Sequence, residues 1–485
     1  MTADTGVADT LRKNALGAPH IVFFVIAAAA PLTAVVGVTP AAFQLGNGPG
    51  VPVTFLLVGG LYLVFSAGFT AMSSFVLSAG GFYAYIKAGL GPAFGLAGAL
   101  IALATYTSVA VALYGLFGFF LNDLVRLNGG PDIAWWIYAV ALAVVVFACG
   151  AHSIEFSGRL LGCCMVAEIT ILLVLSVAIL ATAGPARPIA FAPFGVDAVF
   201  APGLGVALVF VVSSFLGFEA TAIFGEEARE PRRTIPRATY IAVTLIAVFY
   251  AFTTWTISLY YGPDHIQQQA ARNTATLYLD AINALLGRPM GYLMEGLLAV
   301  SLFACALSVH NTLNRYLFAL GREGSLWRGF CRTHRRHHSP LASGVVQIAS
   351  AMAIVVAFAI AGSDPYAVVF DWMSTFGSLG ILVLQVMVSL AVIDKLTTGD
   401  LNGGKFIAGT GTITGEGKVG SIGGITHKMF AAKEAGATAF LVPADNCAEA
   451  LTAHDDDLTL IKVDTLDGAV DALKAYSAGG EPPRC

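Results

Sequence analysis

Charge is scarce in this chain. Of its 485 residues 12% are Asp, Glu, Lys or Arg and 57% are hydrophobic, with a mean hydropathy of +0.77. A soluble domain carries roughly 25% charged residues because its surface must be wetted. Half that share excludes a protein that meets water on every side and points to the membrane class. A formal net charge of −4 is too small to single out an acidic or basic partner, and no nucleic-acid partner is expected. Cysteine is sparse as well. Cys149, Cys163, Cys164, Cys305, Cys331, Cys447 and Cys485 are odd in number and scattered, so no disulfide framework is expected. Cys163 and Cys164 are adjacent and no His lies at ligand spacing, so neither a metal site nor a cofactor is expected. The opening residues 1–19 are polar, lack a short apolar segment with a cleavage site, and read as a cytoplasmic tail.

What the chain does have is long apolar runs. A span needs roughly 20 apolar residues, and ten candidates stand at about 21–44, 52–76, 93–121, 133–150, 158–183, 199–224, 239–260, 290–320, 343–362 and 367–393. The connection Tyr261–Pro289 is amphipathic and is expected along the outer surface. Lys and Arg set the orientation. The expected inner loops hold Arg12, Lys13, Lys87, Arg159, Arg229, Arg232, Arg233, Arg237, Arg322, Arg328, Arg332, Arg335 and Arg336. The outer ones hold Arg126, Arg187, Arg272 and Arg288. This bias places both ends on the cytoplasmic side of a bacterial-type cytoplasmic membrane. Arg328–Pro340 (RGFCRTHRRHHSP) is read as an inner loop facing anionic lipid, in preference to a nucleic-acid or metal site.

Two spans are interrupted at corresponding places in the two halves. Span one carries Pro31, which removes a backbone hydrogen bond, and Gly37 beyond it; span six carries Ser213, Ser214 and Gly217 at similar depth. Proline and glycine are common in membrane helices, so either break alone reads as a packing kink. Paired breaks in equivalent positions instead point to a secondary transporter's binding site, where half-helix ends offer bare peptide groups. Intramembrane carboxylates are costly and are candidates for coupling. Glu219 follows the second break and Glu168 lies mid-span in helix five, with Glu295 and Asp371 near outer helix ends. For Glu219 the alternative is a structural carboxylate bonded to helix ends; for Glu168 it is a neutral packed group.

The segment GFEATAIFGEEAREPRRTIPRA (Gly217–Ala238) resembles the sixth-helix signature of the amino acid–polyamine–organocation permease superfamily. SAGGFYAYIKAGLGPAFG (Ser78–Gly95) and NRYLFALGREGSLW (Asn314–Trp327) resemble the loops after that family's second and eighth helices. The resemblance runs from about His20 to Val386. It implies an all-α polytopic core of ten helices over 20–393, arranged as a five-plus-five inverted repeat of the LeuT-like fold. It also implies movement of an amino acid or amine, coupled to a proton or to sodium. The unwound part of span one would be Ala29–Ala34, its backbone amides and the Thr33 hydroxyl receiving the substrate carboxylate, with Ala30, Pro31, Leu32, Thr33 and Ala34 as the binding residues. The ammonium would meet carbonyls and hydroxyls of Ser213, Ser214 and Gly217, with Phe215 or Phe218 closing the pocket. Glu219 and Glu168 would couple or gate. The glycine-rich first-helix motif of many members is here AAAAPLT. A solute-sensing receptor would share the same pocket.

Composition changes at Asp394. Residues 394–485 read as a small cytoplasmic α/β unit: a glycine-punctuated hairpin over Phe406–Ile422, a helix at Ile425–Ala435, strands at Ala439–Ala444 and Leu458–Val463, and a helix at Leu466–Tyr476. Gly409–Leu451 closely resembles the C-terminal part of the Lon-type proteolytic domain, whose serine–lysine dyad cleaves peptides. The lysine would be Lys428. The serine's turn would fall on Ile381–Gln385, with Val383 in its place and Ser378 and Ser389 out of register. A membrane-anchored serine peptidase is therefore the alternative function, and the missing nucleophile argues against it.

Overall fold

The computed structural model describes residues 17–72, 76, 81–151, 154–184, 188–219, 221, 228–331, 340–396, 401, 404–414, 416–453 and 457–485. In chain order its α-helices begin with α1 Ala18–Ala29, α2 Thr39–Leu45, α3 Val51–Met72, α4 Gly81–Leu90, α5 Pro92–Leu127 and α6 Trp135–Ala151. Then come α7 Ile154–Ala181, α8 Val196–Val199, α9 Leu204–Ser213, α10 Pro231–Tyr261, α11 Ile266–Arg272 and α12 Leu277–Leu286. The series ends with α13 Arg288–Arg322, α14 Leu341–Ile360, α15 Asp371–Leu396, α16 Ile425–Glu434, α17 Cys447–Leu451 and α18 Leu466–Ser477. Most of the basic stretch after Arg328 lies outside the described residues.

Seven described helical stretches are long and apolar enough to cross a membrane: Gly48–Met72, Pro92–Leu127, Gly162–Ala181, Arg232–Tyr261, Arg288–Arg322, Leu341–Ile360 and Pro365–Lys395. They fall on the second, third, fifth, seventh, eighth, ninth and tenth expected spans. The fourth falls on the 17-residue α6. The first and sixth fall on shorter helices, because each loses its regular hydrogen bonding partway along.

By its contacts the chain divides into two compact units, Met1–Tyr85 with Gly95–Ser389, and Ile86–Phe94 with Leu390–Cys485. In the first unit, helices approach closely where side chains are missing, as expected where apolar solvent gives helices no hydrophobic reason to associate. Gly59 brings α3 against α10: a Cβ there would lie 2.4 Å from that of Ala247. Gly377 and Gly380 do the same for α15 against α5, where added Cβ atoms would meet Val109 and, at 2.1 Å, Thr105 Oγ1. Between α3 and the turn after α9, Tyr62 stacks on Phe215 (centroids 5.0 Å, 7°) and meets Phe218 edge-on at 4.7 Å.

The second unit holds a parallel sheet in the order β1-β4-β5, with β1 Ile407–Gly409, β4 Ala439–Pro443 and β5 Thr459–Val463. Both faces are covered, as parallel sheets require. Phe440, Val442 and Leu460 pack with Ile425 and Met429 of α16. Ala439, Ile461 and Val463 pack with Ala469 and Ala472 of α18. The helices and strands expected here are present, but the hairpin is shorter than expected. It is confined to β2 Thr412–Ile413 and β3 Val419–Gly420, while β1 pairs parallel with β4. A second correction concerns cysteine: Cys447 and Cys485 form a disulfide. The last residues return along β5, Lys462 N–H donating to Pro483 and Cys485 N–H to Leu460. That return brings together two cysteines separated by 38 positions, a proximity that spacing could not reveal.

Gly59→Leu is expected to lower the thermal unfolding midpoint of the purified protein, overpacking costing about 1–3 kcal/mol. Gly60→Ala, whose Cβ meets nothing within 4 Å, should leave the midpoint unchanged or raise it; equal losses in both would contradict the close helix approach.

Candidate functional site: two broken helices and a buried cavity

The first helix breaks at Ala30, which takes a left-handed φ of 43°. Pro31 follows and has no N–H to donate, and Thr33–Val38 continue as a π-helical segment, a form common at functional sites. Three other helices satisfy the loosened peptide groups. Tyr250 Oη on α10 donates to the Ala29 carbonyl at 3.2 Å. Leu32 N–H donates to Glu168 Oε2 on α7 at 3.2 Å. Thr33 donates twice to Ser301 Oγ on α13, from N–H at 3.2 Å and from its hydroxyl at 3.0 Å. Ser301 passes its own proton to Glu168 Oε2 at 2.7 Å, so its one donor and both lone pairs are used. Glu168 is 2% exposed.

The sixth helix loses regularity after Ser213. The N–H groups of Ser214, Phe215 and Leu216 bond to Val211, Val212 and Ser213. Gly217 takes a φ of 106°, a value open to glycine and closed to other residues without strain, and turns its N–H onto Glu219 Oε2 at 2.9 Å. Glu219 Oε1 accepts from Tyr106 Oη of α5. Both serine hydroxyls donate to the Phe210 carbonyl.

Between the breaks lies a cavity enclosing about 810 Å³ of empty space, mouth included. The first helix gives it Ala29, Thr33, Ala34 and Val38; the sixth gives Ser213, Ser214, Leu216, Gly217 and Glu219. Ala30, Pro31 and Leu32 are not on its wall, and neither are Phe215 and Phe218, which pack with Tyr62. The aromatic rings on the wall are Tyr106 and Phe370 instead.

Sequence reasoning also missed two whole walls. One is Tyr106, Val109, Ala112 and Leu113 of α5; the other is Cys305, Ser308, Val309 and Thr312 of α13. The second set has the i, i+3, i+4, i+7 spacing of one helix face, a signal available in the sequence. Beyond the first break, Tyr366 Oη donates to the Gly37 carbonyl at 2.9 Å and the hydroxyls of Thr39 and Tyr278 lie 2.7 Å apart. Among the described residues Glu295 Oε2 and Asp371 Oδ1 are buried without a hydrogen-bond partner, and Glu295 shares a separate, mostly apolar cavity with Asp123.

In the C-terminal unit Lys428 Nζ lies 3.5 Å from Thr410 Oγ1. Helix α15 runs unbroken through Ile381–Gln385, with Val383 about half exposed. The Ser378 and Ser389 hydroxyls are bonded to the carbonyls of Ser374 and Gln385 within that helix.

A bundle of membrane-length helices in which two are interrupted beside one buried cavity has the architecture of a multi-pass membrane permease. The chain belongs to the amino acid permease family, whose pattern it matches over residues 20–398. Residues 378–474 match the C-terminal proteolytic domain of Lon protease (S16). An uncharacterized transporter of Mycobacterium tuberculosis is 28% identical over 366 residues, 73% of this chain and 74% of the relative. The branched-chain amino acid permease BcaP of Lactococcus lactis is 25% identical over 374 residues, 71% of this chain and 74% of that protein. Among solved structures, MhsT in complex with L-phenylalanine shares the fold with a TM-score of 0.55 at 14% identity. The likeness covers 78% of this chain and 90% of MhsT.

Ser301→Ala should cost about 1–3 kcal/mol in thermal stability by stranding the Thr33 N–H. Ala30→Gly should cost nothing, because glycine adopts the left-handed φ without the roughly 1–2 kcal/mol that a Cβ adds there. A stability loss in Ala30→Gly as large as that in Ser301→Ala would count against the described break.

Proposed function

We propose that this protein carries out secondary active transport of an amino acid or related amine across the cytoplasmic membrane. In this reading ten spans form two inverted sets of five and both chain ends face the cytoplasm. The observation that carries it is the cavity walled by the interrupted portions of helices one and six. Such interruptions place peptide dipoles at mid-membrane, where a zwitterion or cation can exchange its water for fixed partners.

Glu219 and Glu168 are the coupling groups in this reading, and each suits a different part of the cycle. Glu219 faces the cavity and closes the turn of helix six onto Tyr106 of α5. Glu168 stands behind the break of helix one and holds it to α13 through Ser301. A proton gained by either carboxylate removes an acceptor and lets its partner helices part. Sodium is the alternative driving ion. The Lon-like unit is an appendage without a nucleophile, and the peptidase reading finds no favouring observation.

In proteoliposomes, labelled amino acid or amine should accumulate under an imposed proton or sodium gradient, the two imposed separately to identify the ion. Ser214→Leu, which fills the cavity wall, should reduce flux at least about tenfold, the effect of a 1.4 kcal/mol change. Glu219→Gln should abolish gradient-driven accumulation. Flux undiminished in both variants would remove the site assignment. A fluorophosphonate probe should leave the chain unlabelled; labelling lost in Lys428→Ala would revive the peptidase reading.

A further inference from the structure

We infer that the cavity recognises its substrate through a cationic ammonium group held at Glu219, and that a substrate carboxylate is dispensable. This rests on the cavity being the substrate site, and it narrows what enters it.

An anion entering a membrane-embedded site needs donors that are not already committed. Among the described residues, the peptide N–H groups that follow each break are committed. Leu32 donates to Glu168, Thr33 to Ser301 and Ala34 to Ala30. Ser214, Phe215, Leu216 and Phe218 donate to carbonyls three positions back, and Gly217 donates to Glu219. The hydroxyl donors beside the breaks are committed too: Thr33 to Ser301, Ser213 and Ser214 to Phe210, and Tyr106 to Glu219. Glu168 already sits where a substrate carboxylate would have to bind at Leu32. Displacing it would leave a buried carboxylate short of partners in a low dielectric, a heavy cost.

The charged inventory of the wall agrees. Among the described lining residues none is Lys, Arg or His, and Glu219 is the one carboxylate. Ser308 and Thr312 are the remaining wall hydroxyls of α13, and neither carries charge. Each oxygen of Glu219 accepts one hydrogen bond and keeps capacity for more. An ammonium carries three donors and no acceptor, so it complements this wall, and the ring of Tyr106 beside it favours a cation further. The rest of the wall includes Val109, Leu113, Val309 and Phe370, which suits an apolar body on the amine.

The test uses the full-length purified protein and three matched sets of solutes: leucine, 3-methylbutylamine and 4-methylpentanoate; phenylalanine, 2-phenylethylamine and 3-phenylpropanoate; ornithine, putrescine and 5-aminopentanoate. Binding is read by ligand-induced thermal shift and titration calorimetry, and flux in proteoliposomes. In at least one set the amine should bind within about tenfold of its parent amino acid. In the first two sets the carboxylate without an amine should be weaker by about a hundredfold, as expected where a charged hydrogen bond worth 1.5–3 kcal/mol is lost. Glu219→Gln should weaken amine binding at least about tenfold; if that variant fails to fold, the solute panel on the native protein decides alone. Binding of amino acids with amines inert would overturn the inference and leave transport standing. Amine binding without flux of any solute would sustain the inference and remove the transport reading. Silence across all three sets would overturn both.

Discussion

Inside a bilayer a peptide group without a partner costs several kcal/mol, and this constraint governs the molecule. Helix one breaks at Ala30, and its loosened groups are met one by one from α10, α7 and α13. Those three helices must therefore converge on one point. One of them, α13, also walls the cavity, which Thr33 lines from the first helix. The hydroxyl of Ser301 is the junction, because it accepts from both donors of Thr33 and donates to Glu168. The second break is arranged differently. There the chain satisfies itself, through tightened turns and through Glu219 reaching back to Gly217. One break is thus tied to its surroundings and the other is largely self-contained.

The breaks were legible in the sequence because they rest on backbone chemistry. Pro31 has no N–H, and Gly217 permits a φ that others resist. The two carboxylates were legible because charge is conspicuous in an apolar run. The orientation of Phe215 and Phe218 was not legible, since it rests on packing against Tyr62 of a helix distant in sequence. Nor were the walls from α5 and α13, whose apolar and hydroxyl-bearing faces look like ordinary packing until a neighbour is found to be absent. Ala30 shows the same limit from another side. Alanine gives no hint of a positive φ, and its conformation is set by the partners of Ala29 and Leu32 on either side.

The two family likenesses overlap over residues 378–398. Much of that overlap lies on α15, which ends at Leu396. A regular helix through Ile381–Gln385 answers the needs of the membrane core and leaves no place for the sharp turn on which a nucleophilic serine would stand. Elsewhere the protease-like stretch shows two covered faces of a parallel sheet, and a lysine whose described neighbour is a threonine.

The return of the chain along β5 has a bearing on solubility. In the β1-β4-β5 order β5 is an outermost strand, and an uncovered strand border invites pairing with another polypeptide. Pro483 and Cys485 occupy that border through hydrogen bonds to Lys462 and Leu460, and the Cys447 linkage keeps them there. The border of β5 is thus covered by the end of its own chain, and one sulfur–sulfur bond fastens that cover to α17.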